Sequence, residues 1–342
     1  MDKLLSLQQK IIPEFVPLLL SRYQVLRSIH FLQPIGRRAL ADQLHMQERR
    51  IRNEVDLLKQ QELVGLTSGG MQVTSQGEML LWEIEVYIRE LQGINLLEQK
   101  IAERFGIEKV MVVPGDSDRD ETVKKDLARV TAGYLNKRLE EGSILAVTGG
   151  TTLAEVAAAL KLPTVKRNIT VIPARGGLGE EVEIQANAVA ANIAKGLGAS
   201  YRLLHVPDDL GQKAMQTIAE EPKIKEILDM VRQANIVMHG IGTAEEMARR
   251  RGMPECQITE LTERGAVGEA FGYYFAIDGS VIHSTSSVGL QLNELEQIGE
   301  VIAVVGGASK AAAVQAVLTN APRDVLVIDE GAARAMMDLF YR

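Results

Sequence analysis

Three short segments combine glycine with hydroxyl or cationic side chains directly after apolar runs. The first is Thr148-Gly149-Gly150-Thr151-Thr152, followed by an alanine-rich stretch. The second is Pro173-Ala174-Arg175-Gly176-Gly177-Leu178-Gly179, and the third is Gly306-Gly307-Ala308-Ser309-Lys310. Glycine lets backbone N–H groups approach an anion closely, hydroxyls add donors, and a helix beginning there favours negative charge. Arg175 can hold a phosphate bidentately and Lys310 adds a point charge. Phosphate binding is the chemistry these residues fit. None of the three matches G-x-x-x-x-G-K-[ST] or G-x-G-x-x-G, which argues against a nucleotide.

Gln185, Arg250 and Arg251 are further polar candidates, although each alone reads as an exposed side chain. Glu269 is more suggestive, because Ala266-Val267-Gly268-Glu269-Ala270-Phe271-Gly272 sets one carboxylate in an otherwise apolar run. A sugar with two phosphates needs two cation clusters and a group to accept hydroxyl protons. The set Gly149, Gly150, Thr151, Thr152, Arg175, Gln185, Arg250, Arg251, Glu269 and Lys310 contains both. An enzyme acting on that sugar would also need a positioned acid–base pair, for which only Glu269 and scattered carboxylates are available. The five histidines (His30, His45, His205, His239 and His283) show neither triad nor metal spacing. No cofactor or metal is expected.

These residues must be positioned by the elements around them. After about residue 107, β-type apolar runs alternate with helical patterns. Strands are expected at 110–113, 144–148, 169–173, 202–206, 236–239, 301–305 and 325–328. Helices are expected at 117–139, 153–160, 183–197, 213–234, 244–251 and 310–318. Such alternation means a mostly parallel sheet with helices on both faces. Ligands of such folds bind beyond the carboxyl ends of the strands, where all three glycine segments fall. Residues 271–282, rich in Gly, Tyr and Phe, read as a hairpin.

The first 75 residues read differently. Leu40 and Leu44 mark one short helix, and Ile51, Val55 and Leu58 mark the buried stripe of the next, with Ala41 at their close contact. His45 stands in the turn where many such units have glycine. Around the second helix, Arg49, Arg50, Arg52 and Asn53 fall away from that stripe, and arginine and asparagine can read guanine and adenine edges. Arg37 and Arg38 complete the candidate DNA-binding set. Residues 63–74 read as a hairpin around Ser68-Gly69-Gly70, giving a winged helix-turn-helix. A winged helix that binds protein is the alternative. From 76 to 105 no proline interrupts a helical pattern, and Leu80, Ile84, Tyr87, Leu91, Ile94 and Ile101 trace a short heptad seam. The expected organisation is therefore a DNA-binding module over 1–75, a linker helix over 76–106 and a ligand-binding domain over 107–342. A homodimer is expected, with a tetramer on DNA as the larger alternative.

Bulk composition agrees. Hydrophobic content of 46% against 24% charged gives a globular chain with a full core. The net charge of −7 divides unevenly, because residues 1–75 hold ten Lys/Arg against seven Asp/Glu. A basic module joined to an acidic body suits nucleic-acid binding at one end. A single cysteine, Cys256, excludes a disulfide framework and fits the cytoplasm. The apolar stretch at Val16–Leu20 is broken by Pro13 and Pro17 and reads as neither signal peptide nor membrane span.

From the helix-turn-helix through GGTT to GGASK, the whole chain resembles the SorC family of sugar-responsive bacterial transcription regulators. The resemblance implies a repressor of glycolytic genes responsive to fructose 1,6-bisphosphate. It also implies an effector domain related to glucosamine-6-phosphate deaminase and ribose-5-phosphate isomerase. Carried over by position, Gly149 to Thr152 match the family's phosphate loop, and Arg175, Gln185, Arg250, Arg251, Glu269 and Lys310 match polar positions around its effector. The deaminases carry Gly-x-Gly-x-Asp-Gly-His after a central strand. Here that segment is Gly240-Ile241-Gly242-Thr243-Ala244-Glu245-Glu246, without Asp-Gly or His. The phosphate is expected to be sensed rather than transformed. A sugar-phosphate isomerase or deaminase with an appended helix-turn-helix is the alternative.

Overall fold

The computed structural model describes residues 10–160, 168–177, 181–206, 212–285, 287–320 and 324–340. Residues 1–9 and the Leu178-Gly179 end of the second glycine segment lie outside them. The chain divides into two compact units, Met1–Leu96 and Leu97–Arg342.

In the first unit, helix Phe15–Leu32 precedes the pair Arg37–Gln43 and Glu48–Gln60, followed by hairpin strands β1 (Val64–Thr67) and β2 (Gly70–Val73). Thr67 pairs with Gly70, so Ser68-Gly69 is the two-residue loop. Ile35 and Met71 exchange both backbone hydrogen bonds (3.2 and 2.8 Å), which ties the hairpin to the start of the helix pair. Ile51, Val55 and Leu58 are buried with Leu40, Ala41 and Met71, the stripe the spacing predicts. His45 occupies the turn with φ 50°, the left-handed region that glycine usually fills.

The helical stretch 76–105 is two helices, Ser75–Leu91 and Ile94–Phe105. Gly93 breaks them with φ 66°, its N–H returning to the Glu90 carbonyl at 3.0 Å. Leu81, Ile84, Ile88 and Leu91 pack on the winged-helix core, whereas Leu80 of the expected seam is 37% exposed.

The second unit centres on seven strands: β3 (Lys109–Val113), β4 (Ile144–Val147), β5 (Thr170–Pro173), β6 (Ser200–Tyr201), β7 (Ile236–Gly240), β12 (Glu300–Val305) and β13 (Val325–Asp329). Their order is β3-β13-β12-β7-β4-β5-β6, every neighbouring pair parallel. All six residues of β12 are buried, as a parallel sheet covered on both faces requires. A second, antiparallel sheet runs β11-β10-β9-β8, from β8 (Gly242–Thr243), β9 (Ala266–Ala270), β10 (Tyr273–Ala276) and β11 (Val281–Ser284). The hairpin expected over 271–282 is its β10–β11 pair.

Two expectations are corrected. Residues 202–206 form no strand, because Asn187 substitutes for a neighbouring strand. Its side-chain amide donates to the Leu204 carbonyl and its carbonyl accepts from the Leu204 N–H, both at 3.0 Å. The helix expected over 213–234 is two, Gln212–Ala219 and Pro222–Arg232, since a proline inside a helix would remove a ladder hydrogen bond but is tolerated in its first turn. Helices Glu255–Glu263 and Glu330–Phe340 stand where the sequence reading placed none. Among the described residues, no helix is long and apolar enough to cross a membrane.

Candidate functional site

Strands β4, β5, β7 and β12 deliver their carboxyl ends to one cavity, and β9 of the antiparallel sheet contributes to its wall. About 930 Å³ of space, part of it open to solvent, is lined by all ten residues nominated from the sequence. Thr148, Ile241, Glu246, Met247 and Phe271 also line it.

The turn after β4 is built to receive an anion. Gly150 sits at the N-cap of helix Thr151–Ala159 with φ 123°, and its N–H is held by the Ile184 carbonyl at 2.7 Å. The N–H groups of Thr151, Thr152 and Leu153 have no hydrogen-bond partner among the described residues. They are the orphan donors of a helix start, directed by its dipole towards negative charge. Thr152 is buried and Thr151 exposed.

The turn after β5 works differently. The N–H groups of Gly176 and Gly177 bond the Val288 and Val206 carbonyls at 3.0 Å each, so the segment presents mainly the Arg175 side chain. That guanidinium is itself buried. Its Nε donates to Ser287 Oγ at 3.2 Å and Nη2 to Thr285 Oγ1 at 3.4 Å. A Cβ on Gly272 would collide with both terminal nitrogens, so glycine there gives the arginine its room.

Glu269 joins Arg175 to Arg251. Its Oε1 accepts from Arg251 Nη2 at 2.8 Å and from the Gly272 N–H at 2.5 Å, and lies 3.9 Å from Arg175 Nη1. The three side chains are only 5–7% exposed. One carboxylate thus bridges two buried guanidiniums in the cavity wall.

The third segment departs from expectation. The N–H groups of Gly307, Ala308 and Ser309 are taken by Asp329 (2.7 Å), Asp116 (3.2 Å) and Asp118 (2.8 Å). This turn therefore offers no backbone nest to a ligand; of its residues, Lys310 alone lines the cavity. Burial pushes the Asp329 carboxyl above its ordinary pKa, against the opposing pull of the Ala332, Ser117 and Gly307 N–H groups. The signal in the sequence was available: aspartates at 116 and 118 follow β3 by three and five residues, at the same end of the sheet as the glycines that follow β12.

In the first unit, helix Glu48–Gln60 carries Arg49, Arg50, Arg52 and Asn53 on its exposed side. Arg50 donates to Ser21 Oγ at 3.1 Å, Arg52 lies 3.3 Å from Glu48, and Arg38 lies 3.5 Å from the same carboxylate. Arg37, half-buried, pairs with Asp56 at 2.9 Å. Arg49 and Asn53 make no side-chain hydrogen bond or ion pair among the described residues.

Family models match both units: a CggR N-terminal DNA-binding domain over residues 18–88 and a sugar-binding domain over 89–338. The central glycolytic genes regulator of Priestia megaterium is 43% identical over 338 residues, covering 98% of this chain and 99% of the relative. That of Bacillus subtilis is 41% identical, covering 98% and 99%. A SorC family transcriptional regulator structure from Enterococcus faecalis, 40% identical, aligns with a TM-score of 0.66 over 71% of this chain and 99% of its own. The chain belongs to the SorC family of transcription regulators. The full-length sorbitol operon regulator of Klebsiella pneumoniae, 18% identical, shares the fold over 89% of this chain and 94% of its own, with a TM-score of 0.66. This chain is thus a DNA-binding regulator with a sugar-binding domain.

Proposed function

We propose that the protein is a cytoplasmic repressor of glycolytic genes whose affinity for operator DNA is set by a phosphorylated sugar, with fructose 1,6-bisphosphate the first candidate. The observation that carries this reading is the unpartnered start of helix Thr151–Ala159 opening into a cavity also lined by Arg175, Arg250, Arg251 and Lys310. Donors at one helix terminus and several cations elsewhere in the wall suit two phosphates on one small sugar. The names of the two relatives above 40% identity support the glycolytic genes as its targets. In this reading the ten nominated residues hold the effector. Arg37, Arg38, Arg49, Arg50, Arg52 and Asn53 hold DNA, and two copies read paired half-sites.

The test is a titration of promoter DNA from glycolytic genes at fixed salt, with and without fructose 1,6-bisphosphate or fructose 6-phosphate. The bisphosphate should change DNA affinity by roughly 5–150-fold, the usual size of allosteric coupling, and bound DNA should alter effector affinity reciprocally. Unchanged DNA binding at saturating bisphosphate would overturn the assignment of this effector.

A further inference from the structure

The turns after β4 and β12 share a design: a buried strand, two glycines, small or hydroxyl-bearing residues, and a helix start. Their second glycines have similar backbones, with φ 123° and ψ 156° at Gly150 and φ 104° and ψ 124° at Gly307. The first turn leaves the amides after its second glycine open, whereas the other has its amides filled by carboxylates of the same chain. Asp116 Oδ1 accepts from Ala308 (3.2 Å) and, within its own loop, from Asp118 (3.0 Å), while Asp118 Oδ2 accepts from Ser309 (2.8 Å), so the loop after β3 is fastened to the turn at two points. Asp329 Oδ2 accepts from Ser117 (2.8 Å) and Gly307 (2.7 Å), joining the same loop and turn from behind. A Cβ on Gly307 would collide with the Asp118 carboxylate. Glycine at 307 thus makes room for an aspartate and not for a phosphate.

Lys310 closes this turn, its N–H bonded to the Gly307 carbonyl at 3.0 Å. The neighbouring carboxylates are spent on backbone amides, and Lys310 makes no ion pair among the described residues. We propose that Asp116 and Asp118 are positioning residues: they occupy the amides of the Gly306–Lys310 turn and thereby hold the Lys310 ammonium, unpaired, at the cavity wall. The inference rests on the sugar-phosphate reading above for what Lys310 meets, but not for how the turn is held.

Position and charge make opposite predictions here. If Asp118 acted only through its charge, removing it would strengthen the binding of any phosphate nearby. If it positions Lys310, removing it weakens that binding. Full-length wild type, Asp118→Ala, Asp118→Asn, Lys310→Ala and the Asp118→Ala/Lys310→Ala double variant should be titrated calorimetrically with fructose 1,6-bisphosphate. Asp118→Ala should bind roughly five- to tenfold more weakly, the scale of one lost charge-assisted hydrogen bond. Asp118→Asn keeps an acceptor for the Ser309 N–H and should retain most of the affinity. In the Lys310→Ala background, Asp118→Ala should change nothing further. Tighter binding by Asp118→Ala, or equal weakening with and without Lys310, overturns the proposal. A second arm needs no sugar. In the ligand-free protein, hydrogen exchange at 307–309 and acylation of Lys310, both read by mass spectrometry, should rise in Asp118→Ala and not in Asp118→Asn. No change in either overturns it. Failure of wild type to bind any sugar phosphate, with this second arm positive, would strike the effector reading alone.

Discussion

At the residue scale, the buried Arg175–Glu269–Arg251 cluster carries the sharpest consequence. Glu269 lies against both guanidiniums, and a buried pair stripped of one member is destabilised by about 3–5 kcal/mol. Glu269→Gln should therefore lower the melting temperature, and inorganic phosphate should restore more stability to that variant than it gives wild type. A phosphate-dependent shift no larger than wild type's would show that the cavity does not accept anions beside these arginines. On the other unit, Arg49 differs from its neighbours. Arg37 and Arg52 are engaged within the protein, whereas Arg49 has no partner among the described residues. Arg49→Ala should cost about 1–3 kcal/mol of operator affinity while leaving thermal stability unchanged. Arg37→Ala should lower stability as well, having lost its pair with Asp56. Binding curves alongside melting curves for the two variants separate these outcomes.

At the element scale, the turn between helices Arg37–Gln43 and Glu48–Gln60 rests on one left-handed residue. A non-glycine residue there is strained by about 1–2 kcal/mol, most for β-branched side chains. His45→Val should accordingly destabilise the first unit and His45→Gly should be neutral or stabilising, read as shifts in denaturant midpoint. At the opposite end of the parallel sheet from the cavity, Glu300 begins β12 and accepts from Tyr134 Oη (2.9 Å) and Arg138 Nε (3.0 Å). Burial first, then the Glu300 carboxylate, push Tyr134 from the ordinary phenol value of 10 up to about 12. Because the folded pKa is the higher one, the stability this group lends is complete below pH 10 and disappears as the pH rises through 12. Tyr134→Phe should lose about 1 kcal/mol at neutral pH, a hydrogen bond's net worth. Its stability gap from wild type should close in alkaline melts; a gap that persists above pH 12 would assign the loss to packing instead.

At the scale of the whole molecule, the two units have separate cores, one spanning Tyr23 to Ile88 and the other Val113 to Val327. A fragment of residues 97–342 should fold alone, unfold cooperatively and gain melting temperature with sugar bisphosphate by mass action. A fragment that is molten without the N-terminal unit would place the boundary wrongly. The sequence by itself determined what depends on local periodicity and composition. The winged helix was legible from Ile51, Val55 and Leu58 and from a hairpin with a glycine loop; the parallel sheet was legible from its run of apolar strands. The cavity's residues were legible because ligands of such sheets gather at strand carboxyl ends, which fixes where Thr152, Arg175 and Lys310 must meet. Tertiary structure alone decided what those residues do to one another. That Glu269 is held between two arginines depends on an antiparallel sheet reaching the end of a parallel one. That the Gly306–Lys310 turn is filled depends on β3 lying beside β13, which brings residues some 190 positions apart within 3.2 Å. Spacing in the chain reports which donors stand at a helix start. Only the fold reports whether a distant carboxylate has already taken them.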